Sequence, residues 1–276
     1  MDADFQIFTT VRYDPQLTKV PGIGKLQHAG WNSKTTSPLY MFDLHRDRLL
    51  KAAKYWEWQP AVDLLSRRDT LDNITQLVLD HIGSQAAGPV RVKILISSQG
   101  KVTIESGATK PKSLENLFPV RLPSPTDTAT EPDPRQTPAF SLLVDTLSIG
   151  TSPFTNFKTT KRPMYDAARQ RAGIGLTDLK EVLVINEDTG DVMEGTIFTP
   201  YFWRNGRWVT PPVSAQFSPG VGSGGQDGTT RRWALEQHLA VEEIVPVSSL
   251  VDSEACWLSN GNQGFVFARL DLKRSA

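Results

Sequence analysis

A single cysteine, Cys256, stands in 276 residues. That excludes an internal disulfide and leaves no set of thiolates for a Cys-rich zinc site, so no metal centre is expected. The cysteine falls in the apolar run Ala255-Cys256-Trp257-Leu258, where a free thiol reads as a buried strand residue. Net charge is lacking too: 30 Lys and Arg are matched by 30 Asp and Glu. A general nucleic-acid or membrane-surface binder carries a basic excess, so neither partner is expected. No apolar run approaches the roughly 18 residues that a membrane-spanning helix needs. The first residues, Met1-Asp2-Ala3-Asp4, are acidic and lack the basic-then-apolar layout of a secretory signal. A soluble, reducing, cytoplasmic setting is the expectation.

What is present is material for a core: seven tryptophans and twelve phenylalanines. A chain of this length buries on the order of three-quarters of its unfolded surface. The β-branched and aromatic run Phe5 to Tyr13 reads as a strand. Apolar residues at helical spacing (Leu44, Leu49, Leu50, Ala53, Trp56) predict a helix over 43–58 with Asp43 as its N-cap. A second helix is predicted over 70–82, its stripe formed by Leu71, Ile74, Leu77, Val78 and Ile82. Val90–Ile96 and Lys101–Ile104 flank Ser98-Gln99-Gly100 as a hairpin. Five prolines between 122 and 138 mark a linker or long surface loop. Beyond it, strands are expected at 139–144, 181–186, 192–203, 207–210, 255–258 and 264–270, with helices over 163–172 and 229–238. The expectation is a two-domain α/β (α+β) chain: 1–121, a proline-rich connection over 122–138, and 139–276.

Four segments carry chemistry. The glycine-rich loop Gly220 to Gly228 ends where an amphipathic helix begins, and a helix N-terminus with its unpaired N–H groups suits a phosphate. Its spacing is neither a Walker A loop nor a Rossmann fingerprint, and a plain surface loop with Thr229 as N-cap stays open beside that reading. Lys158 follows Phe157 and precedes Lys161 and Arg162; desolvation and nearby cations turn a lysine into a nucleophile, although most lysines are solvated surface charges. Glu194, between Met193 and Gly195, is either an exposed turn carboxylate or the partner of a protonated ring nitrogen. Arg48, in His45-Arg46-Asp47-Arg48-Leu49, is a solvated helix residue or a guanidinium fork for a phosphate.

Taken together, His45-x-x-Arg48-Leu49, Lys158, Glu194-Gly195-Thr196, Thr210-Pro211-Pro212 and Gly228-Thr229-Thr230-Arg231 resemble the fold-type IV pyridoxal-phosphate family. That family includes branched-chain and D-amino-acid aminotransferases and 4-amino-4-deoxychorismate lyases. Lys158 and Glu194 stand 36 positions apart, about the family's separation. The resemblance implies that Lys158 holds pyridoxal phosphate as a Schiff base and moves protons at the substrate. It implies that Glu194 pairs with the pyridine nitrogen and that Arg48 binds the phosphate, with Thr229 and Thr230 capping it. Asn260 and Gly261 would bring a second backbone loop to that phosphate. The implied architecture is a smaller N-terminal α/β domain and a larger C-terminal β-rich domain with the cofactor between them, usually in a homodimer.

The pattern Lys158-Thr-Thr-x-Arg162-x-x-Tyr165-Asp166, with Phe8-Thr9-Thr10-x-Arg12, is similar to the lyase branch, the fungal type above all. Branched-chain aminotransferases place a tyrosine five positions after the lysine, where this chain has Pro163. The resemblance implies a small-molecule substrate, 4-amino-4-deoxychorismate, cleaved to 4-aminobenzoate and pyruvate. Thr10 would protonate the leaving pyruvyl carbon, directly or through a water, while Arg12, Arg162 and Tyr201 would meet substrate carboxylates. An aminotransferase on the same scaffold is the alternative, and a relative that has lost its chemistry is a second. Two departures stand out: Thr199-Pro200-Tyr201 replaces the usual asparagine segment, and Gln263 takes the place of an arginine in the last motif.

Overall fold

The computed structural model describes residues 4–127, 133–214, 216–218 and 220–274. Residues 128–132 of the proline-rich stretch, Pro219 of the glycine-rich loop and the first three residues of the acidic start lie outside the described residues. The chain divides into two compact units. One comprises Met1–Leu114 with the short segments Phe157–Lys161 and Gly261–Gln263; the other comprises Glu115–Asn156, Arg162–Asn260 and Gly264–Ala276.

The first unit is built on an antiparallel sheet of β1 (Ile7–Tyr13), β2 (Val90–Ile96) and β3 (Val102–Ala108), in that order. Val90, Val92, Ile94 and Ile96 alternate along β2 and are buried on one face, the two-residue period that fixes strand register. The helix Phe42–Tyr55 buries Phe42, His45, Leu49 and Ala52–Ala53 at three- and four-residue spacing. It begins one residue earlier and stops three residues earlier than the sequence suggests. Asp43 is not its N-cap; Met41 is, at φ 49°, because Asn32 ties the bend by accepting from Met41 N–H (2.7 Å) and donating to the Leu39 carbonyl (3.0 Å). Asp43 sits in the first turn, where a negative charge suits the helix dipole. Past Tyr55 the chain turns through Glu57 at φ 55° into a separate helix, Gln59–Ser66, with Pro60 in its first turn. The helix Thr70–Ile82 has the expected bounds, but its buried stripe is Ile74, Val78 and Ile82; Leu77 is 46% exposed.

The second unit carries a larger mixed sheet. Its strands are β4 (Phe140–Ile149), β5 (Lys180–Asn186), β6 (Val192–Gly195), β7 (Thr199–Arg204), β8 (Arg207–Thr210), β9 (Val241–Glu242), β10 (Ala255–Asn260) and β11 (Gly264–Leu270). Their order is β6-β5-β4-β11-β10-β7-β8-β9. The β5–β4 and β4–β11 pairs are parallel, while β11–β10–β7–β8 run antiparallel. The single run expected over 192–203 is two strands, β6 and β7. The buried Cys256 lies on β10 as expected, and burial pushes its thiol well up. The described parts of the proline-rich stretch pack on this unit: Leu122 and Pro123 are carbonyl acceptors for the indoles of Trp208 (3.0 Å) and Trp257 (3.3 Å). The fold class is the expected one, a mixed α/β chain with a small antiparallel sheet and a large mixed one. No helix among the described residues is long and apolar enough to cross a membrane.

A buried ion pair braces the turn after β6. Glu181 is fully buried, and its carboxylate accepts from the N–H groups of Thr196 (3.2 Å) and Ile197 (3.1 Å), from the Thr196 hydroxyl, and from Arg169 at 3.5 Å. Burial raises the Glu181 pKa; the Thr196 hydroxyl, the Val182 and Ile197 N–H groups and Arg169 pull it back. Removing the cation alone strands a carboxylate out of water, so Arg169→Leu is expected to cost about 3–5 kcal/mol. Glu181→Gln turns an amide NH2 onto a backbone or side-chain donor and leaves the Arg169 charge unmatched, so it should cost a comparable amount. Chemical denaturation of both variants checks this; a negligible loss in either would mean the pair is not the brace.

Candidate active site

Within the first unit, Lys158 sits on a short stretch that runs along the free edge of β1. The Phe8 N–H donates to the Lys158 carbonyl (3.0 Å), the Thr160 N–H to the Gln6 carbonyl (2.9 Å), and Ile7 bridges Thr159. Phe157 anchors the stretch by stacking against Tyr55 and Trp56, ring centroids 4.7 and 5.1 Å away. The aromatic residue before the lysine therefore works as a peg. Lys158 Nζ lies 4.9 Å from the centroid of the Phe8 ring, and Lys93 Nζ lies 5.1 Å from the same ring. Thr10, two residues on, is half-buried on the Phe8 face of β1.

Thr9 points to the other face and joins two helix residues. Arg48 Nη2 donates to Thr9 Oγ1 (2.6 Å), which lies 2.5 Å from His45 Nδ1. A guanidinium only donates, so Thr9 accepts from Arg48; its hydroxyl keeps a proton and a second lone pair, so either the hydroxyl or the imidazole Nδ1 supplies the proton of the bond to His45. Complete burial is the first cause that holds the His45 pKa well below 6.5, followed by the charges of Arg48 and Lys158. Gly261 comes so close that a Cβ there would lie 2.5 Å from His45 Cε1 and 2.8 Å from the Thr10 carbonyl oxygen, so no larger residue fits without displacement. Its own carbonyl accepts from the Arg12 N–H (2.8 Å). Arg12 is fully buried; Nε (2.8 Å) and Nη2 (2.7 Å) meet Asp14, and Nη1 donates to the carbonyls of Lys110 (3.0 Å) and Asn262 (3.3 Å). As placed, it braces β1 rather than facing a ligand.

In the second unit, Glu194 on β6 is held through both oxygens. The Tyr165 hydroxyl donates to Oε1 and the Gln226 N–H to Oε2 (3.2 Å). The glycine-rich loop makes this possible by lying against the strand. A Cβ on Gly225 would fall 2.9 Å from the Met193 carbonyl oxygen and 3.2 Å from Glu194 Cβ. Ser223 Oγ donates to the Met193 carbonyl (3.1 Å), and Asn156 Nδ2 donates to the Gly225 carbonyl (3.3 Å). The loop leads into the helix Thr229–Glu236, whose N-cap is Gly228 rather than Thr229. The backbone N–H groups of its first turn have no intrahelical acceptor, the arrangement that receives a phosphate.

Thr230 Oγ1 is hydrogen bonded to Ser259 Oγ (2.8 Å), which is also bonded to the Tyr201 hydroxyl (2.9 Å). Tyr201 is fully buried, so it supports the first turn of that helix. Asn260 Nδ2 donates to the Ile197 carbonyl (3.4 Å). Arg162 pairs with Asp166 (3.2 Å), donates to the Thr196 carbonyl (3.0 Å) and lies 5.2 Å over the Tyr165 ring.

The predicted residues therefore fall in two sets. Thr10, Arg12, Arg48, Lys158 and Gly261 belong to the first unit; Arg162, Glu194, Tyr201, Thr229, Thr230 and Asn260 belong to the second. Four partners had no assigned role in the sequence reading: Thr9, His45, Tyr165 and Gln226. The i, i+3 spacing of His45 and Arg48 carried a signal for the first pair. Gln226 acts through its backbone, which no side-chain pattern reveals.

The family model of class IV aminotransferases matches residues 31–270. The chain belongs to that family. Class IV aminotransferases are pyridoxal-phosphate enzymes, and each unit by itself offers groups whose chemistry suits that cofactor: a lysine amine and a guanidinium in the first, a helix N-terminus and a carboxylate held by two donors in the second. No curated protein matches by sequence. Among solved structures, a protein provisionally assigned as an amino-acid aminotransferase from Mesorhizobium loti is similar at TM-score 0.65 and 20% identity, covering 97% of this chain and 100% of that one. A fold IV transaminase from Curtobacterium pusillum is similar at TM-score 0.58 and 15% identity, over 96% of this chain and 76% of that one. The 4-amino-4-deoxychorismate lyase of Pseudomonas aeruginosa follows at TM-score 0.56 and 14% identity, over 96% and 82%. At these identities the likeness is one of fold.

The buried imidazole of this class IV family member has a pH signature. His45 in the unfolded chain takes up a proton below about 6.5, whereas the folded state resists it. Stability is therefore lost as pH falls from 6.5 toward the depressed folded pKa, by up to about 1.4 kcal/mol per pH unit. Denaturation at pH 7 and pH 5 should show the loss in wild type and a smaller one in His45→Gln. Nitrogen NMR of His45 should read a neutral ring at pH 6; a charged ring there contradicts the burial argument.

Proposed function

We propose that this chain is a pyridoxal-phosphate-dependent lyase that splits 4-amino-4-deoxychorismate into 4-aminobenzoate and pyruvate. The observation that most supports this reading is the seating of Lys158 along β1 on the Phe8 side, with Thr10 next on that face. Phe8-Thr9-Thr10-x-Arg12 is the segment by which the chain resembles the lyase branch.

Bound pyridoxal phosphate would supply an electron sink and the carbonyl to which substrate attaches. Lys158 would tether the cofactor, and Arg48 and the N–H groups of Thr229 and Thr230 would take its phosphate. Glu194 would face the ring nitrogen. The Lys158 amine would take the ring proton whose removal makes the product aromatic. The carbon–oxygen bond to the enolpyruvyl group would break, and Thr10, or a water it orients, would return a proton to the pyruvyl methylene carbon. The two products account for all atoms of the substrate, so neither an oxidant nor a keto acid is required.

The second reading is an aminotransferase with the same lysine and glutamate. Gln263 favours it, because the substrate of the lyase carries two carboxylates and an arginine commonly stands at that place. The two readings separate in one assay. Purified protein with pyridoxal phosphate and 4-amino-4-deoxychorismate, but no keto acid, should release 4-aminobenzoate and pyruvate in equal amounts. Lys158→Ala should lower the rate at least about a thousandfold, and Thr10→Val should lower it as well. Absence of both products, with amino-group transfer from an amino donor to an added keto acid, would replace the lyase with the aminotransferase.

A further inference from the structure

We propose that Tyr165 is the positioning residue for Glu194, fixing the direction of its carboxylate and so the chain's hold on the cofactor ring. The proposal rests on the assignment of Glu194 to the ring nitrogen made above.

The phenol has one proton and two oxygen acceptors within reach. Its contact with Glu194 Oε1 is much shorter than the 3.2 Å to the Thr155 carbonyl, so the proton goes to Glu194. Burial, then the neighbouring Glu194 charge, raises the Tyr165 pKa well above its ordinary value, which keeps the hydroxyl a donor. The other oxygen, Oε2, accepts from the Gln226 N–H at 3.2 Å. Two donors on different oxygens and from different segments, the helix Pro163–Arg171 and the glycine-rich loop, remove the carboxylate's freedom to rotate. Gly225 closes the third side.

Core filling does not account for the tyrosine. Its ring packs in a cluster with Leu143, Ala168, Val182 and Met193, which a phenylalanine would fill equally. The hydroxyl adds the bond to Glu194. A polar atom this deeply buried is retained where it has a partner to serve.

The test uses full-length Tyr165→Phe, Glu194→Gln and the double variant, stripped of cofactor and titrated with pyridoxal phosphate by absorbance. Loss of a hydrogen bond to a charged group should weaken Tyr165→Phe binding about tenfold. Turnover should fall in kcat with KM moved less than about twofold. The melting temperature of the cofactor-free protein should drop by only a few degrees. In the Glu194→Gln background, Tyr165→Phe should add less than about a twofold loss, because both act through one carboxylate.

Full additivity, or wild-type affinity in Tyr165→Phe while Glu194→Gln binds weakly, overturns the proposal and leaves the ring-nitrogen assignment standing. Wild-type affinity and spectrum in Glu194→Gln overturn that assignment and this proposal together. Glu194→Asp gives a second approach with Tyr165 intact. Drawing the carboxylate back by one methylene should reproduce the tenfold loss, and unchanged affinity again overturns the proposal.

Discussion

Neighbouring residues on a β-strand point to opposite faces, and on β1 that rule divides one short motif into two tasks. Phe8 and Thr10 share the face toward which Lys158 extends. Thr9, between them, turns the other way and meets Arg48 and His45. A one-residue slip of β1 against β2 would exchange these sets and undo both at once. The register, Ile7 opposite Ile96 through Tyr13 opposite Val90, is held by the apolar face of β2. The chemistry of the first unit thus depends on the same hydrophobic alternation that makes its sheet.

The second unit arrives at Glu194 by a different device. A carboxylate held in a defined direction needs donors on both oxygens, and two segments supply them. One is a helix with a buried tyrosine; the other is a loop able to approach the strand closely because it lacks side chains at the contact. Glycine richness there serves proximity to β6. The sequence reading connected that loop with a phosphate at the following helix. The helix N-terminus remains suited to that, but the body of the loop grips Glu194. A network of Glu181, Arg169 and Thr196 then holds the turn just beyond it.

Much of this was legible in the residue pattern. The strands β2, β5, β8 and β11 stand out by β-branched runs bounded by turn residues, whereas Lys158, Glu194 and Arg48 stand out only through the resemblance of their segments to a family, each being weak by itself. Legibility failed where a tertiary contact overrode a local preference. Met41 caps the helix Phe42–Tyr55 because Asn32, nine residues away, secures the bend; no local rule weighs that against Asp43. Leu77 looks like part of an apolar stripe, yet it lies outside the arc that Ile74, Val78 and Ile82 bury. Arg12 and Tyr201 were matched to substrate by residue type. Their burial and their bonds to Asp14 and Ser259 are facts of three-dimensional packing that residue type does not carry.

The cases of Arg12, His45, Tyr165 and Glu181 follow from one physical demand. A polar group taken out of water must find partners, and the stronger its charge, the more exacting that demand. Each solution differs. Arg12 is spread over a carboxylate and two carbonyls, Glu181 collects five donors, and His45 gives up its charge. Tyr165 keeps its proton and directs it at one oxygen. The first two solutions hold backbone in place and are complete in themselves. The last two end on residues, Arg48 and Glu194, whose chemistry matches a phosphate and a ring nitrogen. Buried polarity in this chain therefore separates by where its hydrogen bonds lead: Arg12 and Glu181 each close on an ion-pair partner and nearby backbone, whereas His45, through Thr9, and Tyr165 bear on Arg48 and Glu194.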